Sequence, residues 1–85
     1  EGKTEIDVAA IDPEGKNLIL GECKYWNKPV GVKILSDLEA KAETVAWNKD
    51  RRNTWYVLFS AGGFTDELKK IAEERQDVLL VDEQE

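Results

Sequence analysis

Asp7 and Glu22 stand fifteen positions apart in the chain, in Thr-Glu-Ile-Asp-Val and Gly-Glu-Cys-Lys-Tyr-Trp, and Lys24 follows two residues after the second carboxylate. Two carboxylates and an ammonium brought together are the makings of a hard-cation site. The carboxylates could hold Mg²⁺ or Mn²⁺, and the lysine could stabilise negative charge developing beside the ion. There is no His and a single cysteine, Cys23, so zinc would lack its usual ligands and an internal disulfide is impossible.

A hairpin must bring these residues together. Residues 6–11 and 17–25 have the composition of strands, and Asp12-Pro13-Glu14-Gly15-Lys16 between them is turn chemistry, with Pro fixing φ and Gly free to take φ > 0. With 13–16 as the loop, position 12 faces 17 and every facing pair sums to 29. Asp7 then lies opposite Glu22, and Glu5 opposite Lys24. Directly opposed residues share a face, so all four point the same way. Facing like charges cost a hairpin up to roughly 1 kcal/mol, so the two carboxylates call for a compensating cation. The same pairing sets Ile11 opposite Leu18 and Ala9 opposite Leu20 on the carboxylate face, with Ile6, Val8, Ala10, Ile19 and Cys23 on the reverse. Apolar residues on both faces predict a sheet covered on two sides. Cys23, on the reverse face, is expected to be a small buried hydrophobe and not a nucleophile.

Downstream, Asn27-Lys28-Pro29-Val30-Gly31 is a loop and a helix is predicted over 33–47. Its apolar stripe is Ile34, Leu38, Ala42 and Val45, with Leu35 and Ala46 beside it, while Lys33, Asp37, Lys41 and Thr44 line the other side. Residues 48–53 are a polar connection, and Trp55 to Ser60 is a continuous apolar run that predicts a buried central strand. Ala61-Gly62-Gly63 breaks it. Thr65 is a candidate N-cap for a helix ending near Arg75, with Asp66 and Glu67 in its first turn. Val78 to Val81 makes a last strand before an acidic tail. The order β-β-α-β-α-β, with helical crossovers in its second half, predicts an α/β fold whose mixed sheet is parallel on the C-terminal side.

Eighty-five residues allow one small domain, with 41% hydrophobic and 35% charged residues, a globular balance and not a disordered one. The chain has no Met and begins a few residues before a core strand, so residues 1–85 are expected to be a single domain cut from a longer protein. No apolar run is long enough to span a membrane and no signal peptide is present, which makes the cytoplasm the expected location. A net charge of −6 argues against binding nucleic acid by bulk electrostatics. The acids concentrate in the last twenty residues, however. Lys24, Lys28 and Lys33 form one basic stretch, and Lys49, Arg51 and Arg52 a second. Either these patches meet phosphates at the carboxylate end of the sheet or they are solvated surface charge.

Asp7, Glu22 and Lys24 on paired strands fill the three core positions of a pattern that resembles the PD-(D/E)XK, or restriction endonuclease-like, nuclease superfamily. The resemblance implies a mixed sheet flanked by helices, Mg²⁺ or Mn²⁺ held by Asp7 and Glu22, Lys24 positioning or activating the attacking water, and hydrolysis of phosphodiester bonds in DNA, with RNA left open. Glu-Ile-Asp-Val, Gly-Glu-Cys-Lys-Tyr-Trp with Asn-Lys-Pro-Val-Gly, and Leu-Phe-Ser-Ala-Gly-Gly-Phe-Thr are further similar to the C-terminal domain of archaeal AAA-type ATPases, over residues 5 to 68. This similarity implies an ATPase module as attached partner. The chain itself lacks the Gly-Lys-Ser/Thr ending of a P-loop. The N-terminal helix whose acidic residue completes the site in the superfamily is expected to be missing from residues 1–85, which leaves Glu5 as a candidate auxiliary carboxylate. Trp26, Lys28 and Lys33 are candidate nucleic-acid contacts, and the aromatics beside the motif suit either base stacking or packing under the loop. Two other functions fit the same sequence: a catalytically silent DNA- or protein-binding module that regulates an ATPase, and a fragment that pairs as a homodimer through an open sheet edge.

Overall fold

The computed structural model of the chain describes residues 7–12, 14–49 and 51–82. The hairpin forms with the expected register. Strand β1 (Val8–Ile11) runs antiparallel to β2 (Asn17–Lys24), with Val8 opposite Gly21 and Ile11 opposite Leu18. Asp12 organises the turn: its carboxylate accepts the Lys16 N–H at 2.9 Å and the Asn17 side-chain amide at 2.6 Å, and Gly15 takes φ +77°. These bonds favour the charged form and hold the Asp12 carboxyl below its usual pKa.

Helix α1 (Val32–Ala42), strand β3 (Asn53–Ser60), helix α2 (Asp66–Glu74) and strand β4 (Val78–Asp82) follow. β2, β3 and β4 are parallel, and the four strands lie side by side in chain order. α2 starts as its sequence predicts, with the Thr65 hydroxyl accepting the Leu68 N–H at 3.2 Å. α1, by contrast, ends five residues before position 47. The Thr44 hydroxyl donates to the Lys41 carbonyl at 2.7 Å, and Arg52 donates to the carbonyls of Ala42, Val45 and Trp47 at 2.8–2.9 Å. A side chain ten residues past the last helical position thus supplies bonds that a longer helix would have made internally.

Both helices pack on one face of the sheet. The core joins Leu18, Leu20, Tyr56, Leu58 and Val78 from the strands to Leu35, Leu38, Ala42 and Leu68 from the helices. The reverse face is as apolar as expected but is not covered among the described residues: Val8, Ile19, Trp55 and Leu79 are all exposed on it. The expectation of two-sided cover fails for a topological reason. Two successive β-α-β crossovers of the same hand, stepping in the same direction across a sheet, deposit their helices on the same side. No helix among the described residues is long and apolar enough to cross a membrane.

The two connections at the carboxyl end of the sheet are clasped together. Val30 N–H donates to the Gly63 carbonyl at 2.9 Å, and Thr65 N–H to the Val30 carbonyl at 3.0 Å. The Ser60 hydroxyl reaches the same Gly63 carbonyl at 2.7 Å, and Gly63 takes φ +82°. A Cβ on Gly62 would overlap the Lys28 carbonyl, so only glycine permits this approach.

Candidate active site

Glu22 stands on the helix-covered face near the carboxyl end of β2, where only 6% of the residue is exposed. A carboxylate buried this far requires compensating charge. It has two such partners: Lys24 Nζ lies 3.0 Å from Oε2 and Lys41 Nζ 3.1 Å from Oε1. Lys24 follows at the end of the same strand, on the same face, and its ammonium also lies 5.2 Å from the centre of the Trp26 ring. Lys41 comes from the last turn of α1. Helical side chains lean toward the helix N-terminus, which aims this one back along the sheet toward Glu22.

Asp7 is exposed and lies one residue before β1. The Asp12 N–H to Asn17 carbonyl bond marks 12/17 as a hydrogen-bonded pair, so 10/19 and 8/21 are of the same kind and the Cys23 N–H points toward the β1 side. That N–H donates to Asp7 Oδ2 at 2.8 Å. The Asp7 carboxylate is thereby fixed beside the peptide that joins Glu22 to Cys23. The cation that the carboxylates call for is present in the protein's own lysines, and the formal charges of Asp7, Glu22, Lys24 and Lys41 sum to zero.

The remaining sequence-derived residues divide. Glu5 lies outside the described residues. Trp26 is engaged by Lys24 and also by Lys28, whose ammonium lies 5.1 Å from its ring centre, so these three side chains form one cluster next to Glu22. Tyr25 is 82% exposed beside them. A cleft of about 280 Å³ lined by Lys24, Tyr25, Phe59, Ser60, Ala61 and Val81 opens at the end of the sheet on the face turned away from Glu22, since Phe59 and Val81 share the face of Cys23. Lys33 is bound to Asp37 at 3.2 Å, one helical turn on. The second basic stretch does not reach the carboxylates. Asn17 pairs with Asn53 and Lys24 with Ser60, so Arg52 belongs to the opposite end of the sheet, and it is spent on helix carbonyls while Lys49 binds Glu43 at 3.3 Å.

Lys41 is the site residue that the sequence reading misplaced, assigning it to the solvent side of α1. It lies three residues after Leu38 and seven after Ile34, which puts it on the margin of the apolar stripe. A lone lysine at that margin, facing a sheet that carries a buried carboxylate, is the signal that marks it.

Among the described residues, no group of three or more His, Cys, Asp and Glu side chains is placed to hold a metal ion. The donor chemistry still suits Mg²⁺ or Mn²⁺, which bind through one or two hard carboxylates and keep several waters. A mixed four-stranded sheet in the order β-β-α-β-α-β, with a buried Glu-x-Lys at the carboxyl end of its second strand, is the restriction endonuclease-like fold. The model of the restriction endonuclease family Mrr_cat matches residues 1–85, and the chain belongs to that family. Comparison with curated proteins and with solved structures returns no match.

Proposed function

We propose that this domain is a divalent-metal-dependent endonuclease that hydrolyses phosphodiester bonds in DNA, with Asp7 and Glu22 as the metal-holding carboxylates and Lys24 as the cation beside the reacting phosphate. The observation that carries the reading is Glu22 itself. A buried carboxylate between two lysines costs desolvation that a well-packed apolar side chain would avoid, so such a group is more economically explained by chemistry than by stability. Bound Mg²⁺ or Mn²⁺ would supply Lewis acidity and a more acidic water. Asp7, fixed by the Cys23 N–H, and Glu22, fixed by its lysines, are oriented in advance. Lys24, partly exposed and steadied by Trp26, is placed to stabilise charge on a phosphate. The aromatic and basic pair of Trp26 and Lys28 is suited to a nucleic-acid strand that enters beside it.

The test is Mn²⁺ titration by calorimetry on the chain and on Asp7→Asn, followed by cleavage of plasmid DNA by the metal-loaded protein. Binding that is lost in Asp7→Asn, with cleavage lost alongside it, is the expected result. Absence of binding in the unaltered chain would sink the reading. A second reading, a silent regulatory module attached to an ATPase, draws on one observation: both Glu22 oxygens are already engaged. It predicts a stable fold and partner binding with no response to metal.

A further inference from the structure

Glu22 has two oxygens and each is occupied: Lys24 holds Oε2 at 3.0 Å and Lys41 holds Oε1 at 3.1 Å. An ion held by Glu22 would stand close to both ammoniums, and the repulsion between like charges favours the departure of one of them. The two lysines differ in what else holds them. Lys24 lies on the same strand two residues from Glu22 and rests against the Trp26 ring, whereas Lys41 reaches across from the end of α1 with its ammonium on Glu22. Both have a path outward, since about a quarter of each side chain is already exposed, so the Trp26 contact is what separates them. The helix end that carries Lys41 is pinned by Arg52 at the Ala42 carbonyl, so displacement moves the side chain and leaves the backbone in place.

From this geometry, and resting on the metal-dependent reading above, we infer that Lys41 is a resident counter-ion that occupies the place of the divalent ion at Glu22 Oε1 and is displaced when the ion binds. It is a positioning residue and not a catalytic one: it keeps Glu22 ordered and inward-facing while no metal is bound. Once displaced, its ammonium stays on the same wall of the site and is available to an incoming phosphate. Metal affinity in the isolated domain is therefore held down by an internal competitor. A +1 charge beside a +2 ion opposes binding, and removing it relieves that opposition.

Two measurements test this, and neither depends on cleavage. In the first, Mn²⁺ is titrated by calorimetry into the chain, Lys41→Met, Lys41→Arg and Asp7→Asn, with thermal melting of each as a check of folding. Lys41→Met should bind about tenfold more tightly, roughly 1.4 kcal/mol, while Lys41→Arg, which keeps the charge and adds a fork that grips carboxylates, should bind no better than the unaltered chain. Equal or weaker binding by folded Lys41→Met would overturn the inference and leave the nuclease reading intact, provided Asp7→Asn still loses the ion. Lack of binding in every protein would overturn both. The second measurement uses the unaltered chain, so it stands even where Lys41→Met does not fold. The rate of amine acetylation at Lys41 is followed by mass spectrometry with and without saturating Mn²⁺, with Lys33 as internal reference. Faster labelling of Lys41 with Mn²⁺ is expected, and an unchanged rate at saturation would refute displacement.

Discussion

The two ends of the sheet use charge in opposite ways. At the amino end of the parallel strands two arginines have their donors committed. Arg52 bonds three main-chain carbonyls, and Arg75 bonds Asp77 at 2.9 Å and Glu39 at 2.8 Å while lying 5.9 Å from the Tyr56 ring centre. At the carboxyl end the cations are lysines, gathered around one buried carboxylate and one indole. A guanidinium offers five donors in a rigid fork and suits a fixed joint, whereas an ammonium is a compact charge on a flexible stem that can be exchanged for another cation. A hollow of about 610 Å³, larger than the cleft beside Lys24, lies among these arginines.

The contrast predicts separable effects, and the largest should come from Arg52. Arg52→Ala strips the end of α1 of bonds to three carbonyls and should cost about 3 kcal/mol, read as a fall in Tm of roughly 10–20 °C, while Mn²⁺ affinity stays close to that of the unaltered chain once the protein is folded. Gly62→Ala forces a methyl against the Lys28 carbonyl and should cost about 2 kcal/mol, a loss of Tm that also loosens the loop carrying Trp26. Glu22→Gln should act the other way round: Mn²⁺ binding is lost, but stability falls by only about 1 kcal/mol, because both lysines are partly exposed and can turn to water. A collapse of Tm in Glu22→Gln that matches Arg52→Ala would erase the distinction between the two ends.

The smallest effect concerns acid. Hydrogen bonding from Arg75 holds the Asp77 carboxyl below its ordinary value against the opposing effect of burial. A depressed folded-state pKa contributes stability that is complete above the unfolded value, near 3.9, and is lost as pH falls through the folded one. Asp77→Asn should therefore lower Tm modestly at pH 7, by a difference that shrinks as pH falls through the folded value and the unaltered side chain takes up its proton. A Tm difference that stays constant as pH falls would show that the pair acts through packing alone.

Most of the architecture was legible from local pattern. The turn residues Asp12 and Gly15 set a register that carried all the way to Val8 opposite Gly21, and Thr65 marked the start of α2 correctly. What escaped was non-local. The end of α1 depends on Arg52, ten residues past the last helical position, and no helical periodicity contains that information. The bare sheet face depends on the sequence of crossovers and not on the composition of any strand. Glu22 and Lys24 were visible because two residues of one strand share a face by necessity. Lys41 was not, because its role exists only once α1 is laid across β2.

The clasp between Val30 and the Gly63 to Thr65 segment has a consequence for protein engineering. The loop after β2 and the loop after β3 are one exchangeable cassette. A chimera that imports Asn27 to Gly31 from a relative without its own Ser60 to Thr65 would bring mismatched halves of a single joint, and a library that varies this end of the sheet should diversify the two loops jointly, with Gly62 and Gly63 held constant.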